Sequence, residues 1–165
     1  MIGMQIKSES GSALIISLVF LLMLTMIGIA SIQDSTLQER MSGNERDRNL
    51  AFQAAEAALR VGEDHLRQAG VIFSASGSNG LMSPDYTGVR PVEDNYQWGA
   101  RSQSVSDNYT GVQGSPRYTL EWLTTQTFTP SDEGEVPVVN SYRVTARAVG
   151  GSDGAVVVLQ STVSR

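Results

Sequence analysis

The hydrophobic positions of this chain open with one uninterrupted run near the N-terminus, from Ser12 to Ile32. The run reads SALIISLVFLLMLTMIGIASI and contains no charge and no proline, and a helix of about 20 apolar residues is enough to cross a bilayer. A secretory signal has a shorter apolar core, of about 7–15 residues, and a small-residue cleavage site behind it. No Ala-x-Ala site follows here. The pattern therefore predicts a membrane segment that is kept, with any cut in front of it.

Behind the apolar run, the pattern changes to a single hydrophobic stripe. All five prolines lie beyond residue 83, and an interior proline would break a helix, so one long helix over Ser12–Ala69 is predicted. From residue 51 onward, the apolar positions recur at the 3.6-residue period of a helix. Because most of them are small, we expect whatever packs on this stripe to approach closely. The stripe consists of Ala51, Ala55, Ala58, Leu59, Gly62, Leu66 and Ala69.

The polar side of the same helix carries two predicted i,i+4 ion pairs, Glu56–Arg60 and Glu63–Arg67. The segment Ser42–Glu45 is a possible interruption, since Gly43 weakens a helix and the ends of the segment have the spacing of a capping box. A hinge or a helix restart is one interpretation of this segment. An uninterrupted, solvated helix is the other, and it is slightly favoured.

The C-terminal half changes to strand patterns. Residues 70–116 are rich in Gly, Ser, Asn, Asp and Tyr, with short candidate strands around 96–103. Three β-rich segments bounded by turn residues follow, at Arg117–Phe128, Ser141–Val149 and Ala155–Val163. In the second of them, apolar residues alternate with polar ones, which predicts a half-buried strand, apolar in and polar out. The predicted fold class is α+β, in which a long N-terminal helix packs its alanine-rich face on a small C-terminal antiparallel sheet.

Charge and composition exclude several classes of function. The net charge is −5 and the basic residues form no cluster, whereas nucleic-acid binding needs grouped Lys and Arg. The chain has no cysteine, which excludes disulfides, thiolate catalysis and Cys-ligated metals. Lys7 precedes the apolar run, and the first basic residue after it is Arg40. The positive-inside rule then predicts a cytoplasmic N-terminus.

The sequence predicts no catalytic residue, no cofactor and no metal site. His65 is the only histidine, and in this context a lone histidine is interpreted as a surface residue. Acidic loops at 132–135 and 152–154 could offer oxygen ligands to Ca²⁺, but neither has EF-hand spacing, so both are interpreted as solvated turns. Four aromatic residues of the middle region are predicted mainly to fill a small core, with a contact surface as the alternative. They are Tyr86, Tyr96, Trp98 and Tyr109.

Three segments of the chain resemble the PilX-type minor pilins of bacterial type IV pili. They are GSALIISLVFLLMLTMIGIASIQ, ERMSGNERDRNLAFQAAEAALR and YRVTARAVGGSDGAVVVLQS, which together cover about half of the chain. The resemblance implies a type IV pilin-like fold and a division into five parts. These are a prepilin leader (1–11), a transmembrane helix segment (12–32), a periplasmic helical stalk (33–69), a variable loop-rich region (70–116) and the sheet of the globular head (117–165).

The resemblance also implies processing at the start of the apolar run. Prepilin peptidase would cut between Gly11 and Ser12 on the cytoplasmic side and N-methylate Ser12. Pilins usually carry glutamate at mature position five, where it meets the N-terminal ammonium of a neighbouring subunit, but here that position is Ile16. An unpartnered carboxylate in a membrane costs about 2.5–3.5 kcal/mol on insertion scales. A tip subunit has no neighbour above it, so its loss of the glutamate is tolerable; sequence drift in a scarce subunit is the alternative.

The function that the resemblance implies is that of a non-enzymatic minor pilin. It would help to initiate pilus assembly in a tip or priming complex, and thereby serve twitching motility and adhesion. The implied partners are prepilin peptidase, the inner membrane, other minor pilins and the major pilin through the N-terminal helix, and a tip adhesin. The chain would lie first in the inner membrane with its head in the periplasm, and later in the pilus near the tip. Two alternatives remain: a type II secretion tip pseudopilin, and a single-pass periplasmic sensor or binding domain.

Overall fold

The computed structural model describes residues 10–106, 109–127 and 138–165, without the side chains of Ser10 and Thr127. The chain divides into two compact units, Met1–Gly43 and Asn44–Arg165. Within the described residues lie one α-helix, a short 3-10 turn and five strands. They are α1 (Ser10–Arg67), the 3-10 turn (Ser78–Gly80), β1 (Leu81–Met82), β2 (Gln103–Ser104), β3 (Arg117–Thr127), β4 (Val138–Val149) and β5 (Val156–Ser164).

Helix α1 matches the predicted long helix to within two residues at each end. Its helical backbone includes Ser42–Glu45, so the helix does not restart at Gly43. The predicted end at Ala69 is wrong, because Ala69 is an exposed turn residue. The next residue, Gly70, has φ +87°, a left-handed conformation that glycine adopts readily just beyond a helix.

The sheet has the strand order β1-β3-β4-β5, and β2 also pairs with β3. Strands β2, β3, β4 and β5 pair antiparallel, whereas β1 runs parallel to β3. The predicted α+β class is confirmed, and the sheet is mostly antiparallel. The two-residue strand β1 was not predicted, because so short a pairing leaves no periodicity in the sequence. Of the candidate strands around 96–103, only β2 forms, at their C-terminal end.

The strand bounds differ in detail from the predicted segments. Strand β4 begins at Val138, three residues before the predicted start. The predicted end of the preceding segment, Phe128, lies outside the described residues. A register shift interrupts the β3–β4 pairing between Trp122 and Thr124, which is the signature of a β-bulge. The β4–β5 pairing runs without a shift from Ser141↔Ser164 to Val149↔Val156.

Both faces of the central strands β3 and β4 are covered in the second unit. One face packs on α1, through residues such as Tyr118, Leu120, Val144 and Ala146. The predicted alternation, polar side out, is wrong at Thr145, which is fully buried on the other face. Residues 78–103 cover this second face: Arg117 Nη1 donates to the Trp98 carbonyl at 3.2 Å, and a side-chain atom at Gly80 would lie 3.1 Å from Thr119 Cγ2.

Candidate functional site

The N-terminal part of α1 presents an apolar surface on all sides within the first unit. Every described side chain from residue 11 to residue 43 is exposed, and the large apolar ones run without a charged residue between them from Leu14 to Ile32, with Leu37 and Met41 beyond. Two of the three hydroxyls inside this stretch bond to their own helix, Ser17 Oγ to the Leu14 carbonyl at 2.9 Å and Thr25 Oγ1 to the Leu22 carbonyl at 2.8 Å. Since a bilayer accepts backbone and hydroxyl groups only when they are satisfied internally, the segment suits a hydrocarbon environment.

Among the described residues, α1 is a helix long and apolar enough to cross a membrane, with a mean hydropathy of 2.8 over its best window. Gly11 and Ser12 lie in its first turn, and no atom lies within 4 Å of where a Gly11 side chain would begin. Ile16 follows on the same exposed stretch with 54% of its surface accessible. The residues proposed for processing therefore stand at an open helix start rather than in an extended segment.

The small residues of the predicted stripe line the contact between α1 and the sheet in the second unit. Most of them are buried, Leu59 is partly buried, and Ala54 joins them as a buried residue that the stripe did not include. The helix and the sheet approach closely at Gly62, where an added Cβ would lie 2.6 Å from Val144 Cγ1 and 3.0 Å from Tyr118 Cδ2. The buried members are Ala51, Ala54, Ala55, Ala58, Gly62 and Leu66.

The polar side of α1 makes different contacts from those predicted. Glu56 pairs with Arg60 as expected, but Arg67 pairs with Asp64 at 2.7 Å. The expected partner of Arg67, Glu63, instead accepts a hydrogen bond at 2.7 Å from the hydroxyl of Ser161 on β5. The Glu63 carboxylate therefore bonds to the sheet and not to Arg67 of its own helix.

Asp47 on α1 binds the turn between β4 and β5. Its carboxylate accepts hydrogen bonds from the backbone N–H groups of Gly151 and Ser152 and from the Ser152 hydroxyl. The hydrogen bond from the Ser152 side chain lowers the pKa of Asp47 below its ordinary value of 3.8, and the two backbone N–H groups act in the same direction. A charged acceptor with three donors fixes the turn on the helix. Sequence reasoning missed this contact, because the partners are 104 and 105 residues apart.

Glu121 is the buried carboxylate of the head and was not predicted. Only 3% of its surface is accessible, and its oxygens lie 3.1 Å from Arg90 Nη1 and 3.7 Å from Arg143 Nη1. Buried charges are costly unless they are paired. Both guanidinium groups therefore compensate this carboxylate, and Arg90 also holds the covering segment on the sheet.

His65 is not the free surface residue that the sequence suggested. Its Nδ1 lies 3.1 Å from the hydroxyl of Tyr118, and the two rings meet edge to face at 6.0 Å. Burial raises the pKa of Tyr118 above its ordinary value of 10.0. At neutral pH the phenol therefore remains protonated and can bond to the imidazole, which makes this pair a packing contact between α1 and β3.

The aromatic residues of the middle region contribute to the core in two ways. Tyr86 and Tyr96 are buried together with Met82, and Trp98 packs on this cluster. Tyr109 is partly buried and packs on the core beneath α1. Within the described parts of the chain there is no group of three or more acidic or histidine side chains that could hold a metal ion. The acidic loop at 132–135 lies outside the described residues.

In the described parts of the chain, the exposed apolar helix together with an α+β head fits the class of proteins with a single-pass membrane anchor. The family profile described as PilX N-terminal matches residues 10–60, and the profile described as type IV pilus assembly protein PilX C-term matches residues 43–165. The chain belongs to the PilX family of type IV pilus assembly proteins. Comparison with curated proteins and with solved structures gives no match.

Membership of this family indicates the general function of the chain. The chain is a component of type IV pilus assembly, from a structural family rather than a family of enzymes. Its partners are accordingly sought among the other pilus components. The resemblance of the sequence to PilX-type pilins is confirmed by both profiles.

Proposed function

We propose that this chain is a minor pilin that helps to start type IV pilus assembly in a tip or priming complex. The observation that carries the proposal is the charge-free apolar surface of α1, exposed on every side from Leu14 to Ile32. Lipid chains and the side chains of packed helices are equally apolar. The same surface can therefore hold the subunit in the inner membrane and later pack against other minor pilins and the major pilin, without any change in the protein.

The tip position is supported by Ile16. In the mature chain this residue occupies the place where pilins usually bind the terminal ammonium of a neighbour through a glutamate. A carboxylate without that partner costs about 2.5–3.5 kcal/mol in a membrane, and the isoleucine avoids this cost. A subunit with nothing above it gains from the exchange, and a tip adhesin could then attach to its head.

The proposal includes processing and topology. Residues 1–11 form the leader, 12–32 the transmembrane segment, 33–69 the periplasmic stalk, 70–116 the variable region and 117–165 the sheet of the head. Prepilin peptidase cuts between Gly11 and Ser12 and methylates Ser12. Cleavage requires the first turn of α1 to unwind, which breaks only the bonds that its carbonyls accept, at a helix end of the kind that frays readily.

The test is the mature N-terminus of the full chain, from membranes with and without prepilin peptidase. We expect intact mass and terminal sequencing to give N-methylated Ser12 only where the peptidase is present. Gly11→Val should block cleavage, and Gly28→Val is its matched control, since both glycines lie in open parts of α1 with no atom within 4 Å. An intact Met1 in both membranes would refute the proposal and favour a membrane-anchored sensor or binding domain.

One further arm separates the pilus from a secretion piston, because Ile16 fits a type II secretion tip pseudopilin equally well. Cells that lack this chain should lose surface pili and twitching motility while protein secretion continues at its normal level. Lost secretion with normal pili would assign the chain to the secretion system instead.

A further inference from the structure

Strand β5 is the terminal strand of the sheet, and its outer edge is open. Among the residues that the structure describes, it pairs with β4 alone. The other end of the sheet differs, because β1 and β2 cover part of β3 there. The open edge of the sheet is therefore the outer edge of β5.

The backbone groups that point outward from this edge follow from the pairing with β4. Gly150 N–H donates to the Ala155 carbonyl at 2.7 Å, and Asn140 and Arg165 exchange both of their backbone hydrogen bonds. Bonded and non-bonded residue pairs alternate along an antiparallel ladder. Because the register is unbroken, every second residue of β5 turns its N–H and C=O away from β4. These residues are Val156, Val158, Gln160, Thr162 and Ser164.

The edge also lacks the features that usually protect an edge strand. Natural edges carry lysine, proline, bulges or inward-pointing charges that prevent pairing with another chain. Strand β5 reads VVVLQSTVS, without a charge or a proline, and has no register shift. Among the described residues, no hydrogen bond reaches its outward N–H or C=O groups.

A groove lies on each side of this edge, and side chains of an added strand would alternate between the two. The helix-side groove, about 340 Å³, is formed by Arg48, Asn49 and Phe52 of α1 with Val156–Leu159 of β5. Phe52 has 46% of its surface exposed. The groove thus offers an apolar wall with one basic group beside it.

The far-side groove, about 610 Å³, lies between β5 and the segment that covers the sheet. Its floor includes Val156 and Val158, which are 40% and 42% exposed. Glu93 and Asp94 line it with two negative charges, against the single positive charge of Arg147. The chain as a whole carries a net charge of −5. An occupant with apolar and basic side chains is therefore favoured on this side.

We propose that β5 is the docking edge for an extended segment of another pilus subunit, which adds a strand to this sheet. The segment alternates its side chains, with apolar residues against Phe52 on one side and apolar residues with at least one Lys or Arg against Glu93 and Asp94 on the other. Its main chain pairs with the outward groups of Val156–Ser164, as in other cases of strand addition. The assignment of the partner rests on the proposed pilus function.

The test uses the full chain in cells that produce pili. Val158→Pro removes an outward N–H and no bond of the β4–β5 ladder, which is where a sheet tolerates proline. Val158→Thr keeps both the N–H and the β-branched shape. We expect the proline variant to lower the amount of this chain in sheared pili at least about tenfold, while the threonine variant leaves it unchanged. Wild-type amounts with proline would overturn the proposal.

Two controls complete the test. Protease resistance in membranes reports whether the proline variant folds; if it does not, Val156→Lys with Val158→Lys replaces it, since charges block edge pairing without altering the backbone. Cleavage to Ser12 in each variant shows that the proposed pilin processing is intact. A failure of processing is thereby distinguished from a failure of docking at β5.

A photo-crosslinking residue at position 158 then identifies the neighbour, with position 163, which faces α1, as the matched control. We expect an adduct only from position 158, to a segment of another subunit with alternating apolar and basic residues. An adduct to a second copy of this chain, or none, would overturn the assignment.

Discussion

Replacing Gly62 by alanine tests the close approach of α1 to the sheet. The new Cβ would lie 2.6 Å from Val144 Cγ1, whereas carbon atoms in contact prefer about 3.5–4.0 Å. Val144 is fully buried, and a β-branched side chain has little rotamer freedom with which to move away. Tyr118, whose Cδ2 would lie 3.0 Å from the new atom, is held by its hydrogen bond to His65.

Two opposing terms set the expected magnitude. Alanine is favoured over glycine inside a helix by about 1 kcal/mol, and overpacking a core costs about 1–3 kcal/mol. With an overlap of this size in a fully buried site, the second term dominates. We expect Gly62→Ala to lower the free energy of unfolding of the head by about 1–2 kcal/mol, against the direction of helix propensity.

The assay is thermal unfolding of the full chain in detergent, followed by near-ultraviolet circular dichroism of the aromatic residues of the head. Gly43→Ala is the matched control, since Gly43 also lies inside α1 but has no atom within 4 Å of the added Cβ. Its melting temperature should stay the same or rise. If Gly62→Ala also stabilises the head, then the helix and the sheet do not approach as closely as described, and the reasoning fails.

Three further predictions concern polar contacts of the head. Because the folded pKa of Asp47 is lowered, the stabilisation by this carboxylate is present above about pH 4 and is lost as the pH falls through the folded pKa. The melting temperatures of wild type and Asp47→Asn should therefore differ at pH 7 and converge in acid. A difference that stays constant with pH would contradict this. Arg90→Leu removes the nearer partner of buried Glu121 and should cost about 3 kcal/mol in urea unfolding, while a cost under about 0.5 kcal/mol would show that the ion pair is unimportant. Tyr118→Phe should cost about 1 kcal/mol, and an unchanged urea midpoint would mean that the bond to His65 contributes nothing.

The helix and its packing face could be predicted because the information is local. The 3.6-residue recurrence that includes Ala51, Ala55 and Ala58 depends on neighbouring turns of one helix, and all three residues are fully buried. The predicted stripe does not include Ala54, because the apolar period locates the centre of the buried helix face but not the width of that face. The predicted end of α1 at Ala69 is two residues beyond the observed end at Arg67, because the chain already turns toward the left-handed Gly70.

The polar contacts could not be predicted, because their partners lie far apart in the chain. Asp47 and Ser152 are 105 residues apart, and nothing near Asp47 distinguishes it from any other helical aspartate. Strand alternation predicts that Thr145 faces solvent, because it distinguishes the two faces of a strand but does not predict that residues 78–103 cover the second face. Glu63 was paired with Arg67 on helix spacing alone, and only the position of β5 explains why it bonds to Ser161.

The contacts between α1 and β5 have a consequence for the order of folding. Glu63 bonds to Ser161 across 98 residues and Arg165 to the Leu66 carbonyl across 99, so the chain between them must be made before either contact forms. Closing such long loops slows folding, because chain entropy is lost before the contacts form. During synthesis Ala54 and Ala55, which pack with Val157 and Leu159, stay uncovered on that side until β5 has been made. A chain truncated before β5 would therefore leave this part of the head's apolar face exposed, and proteases could distinguish it from a finished subunit by that exposed face.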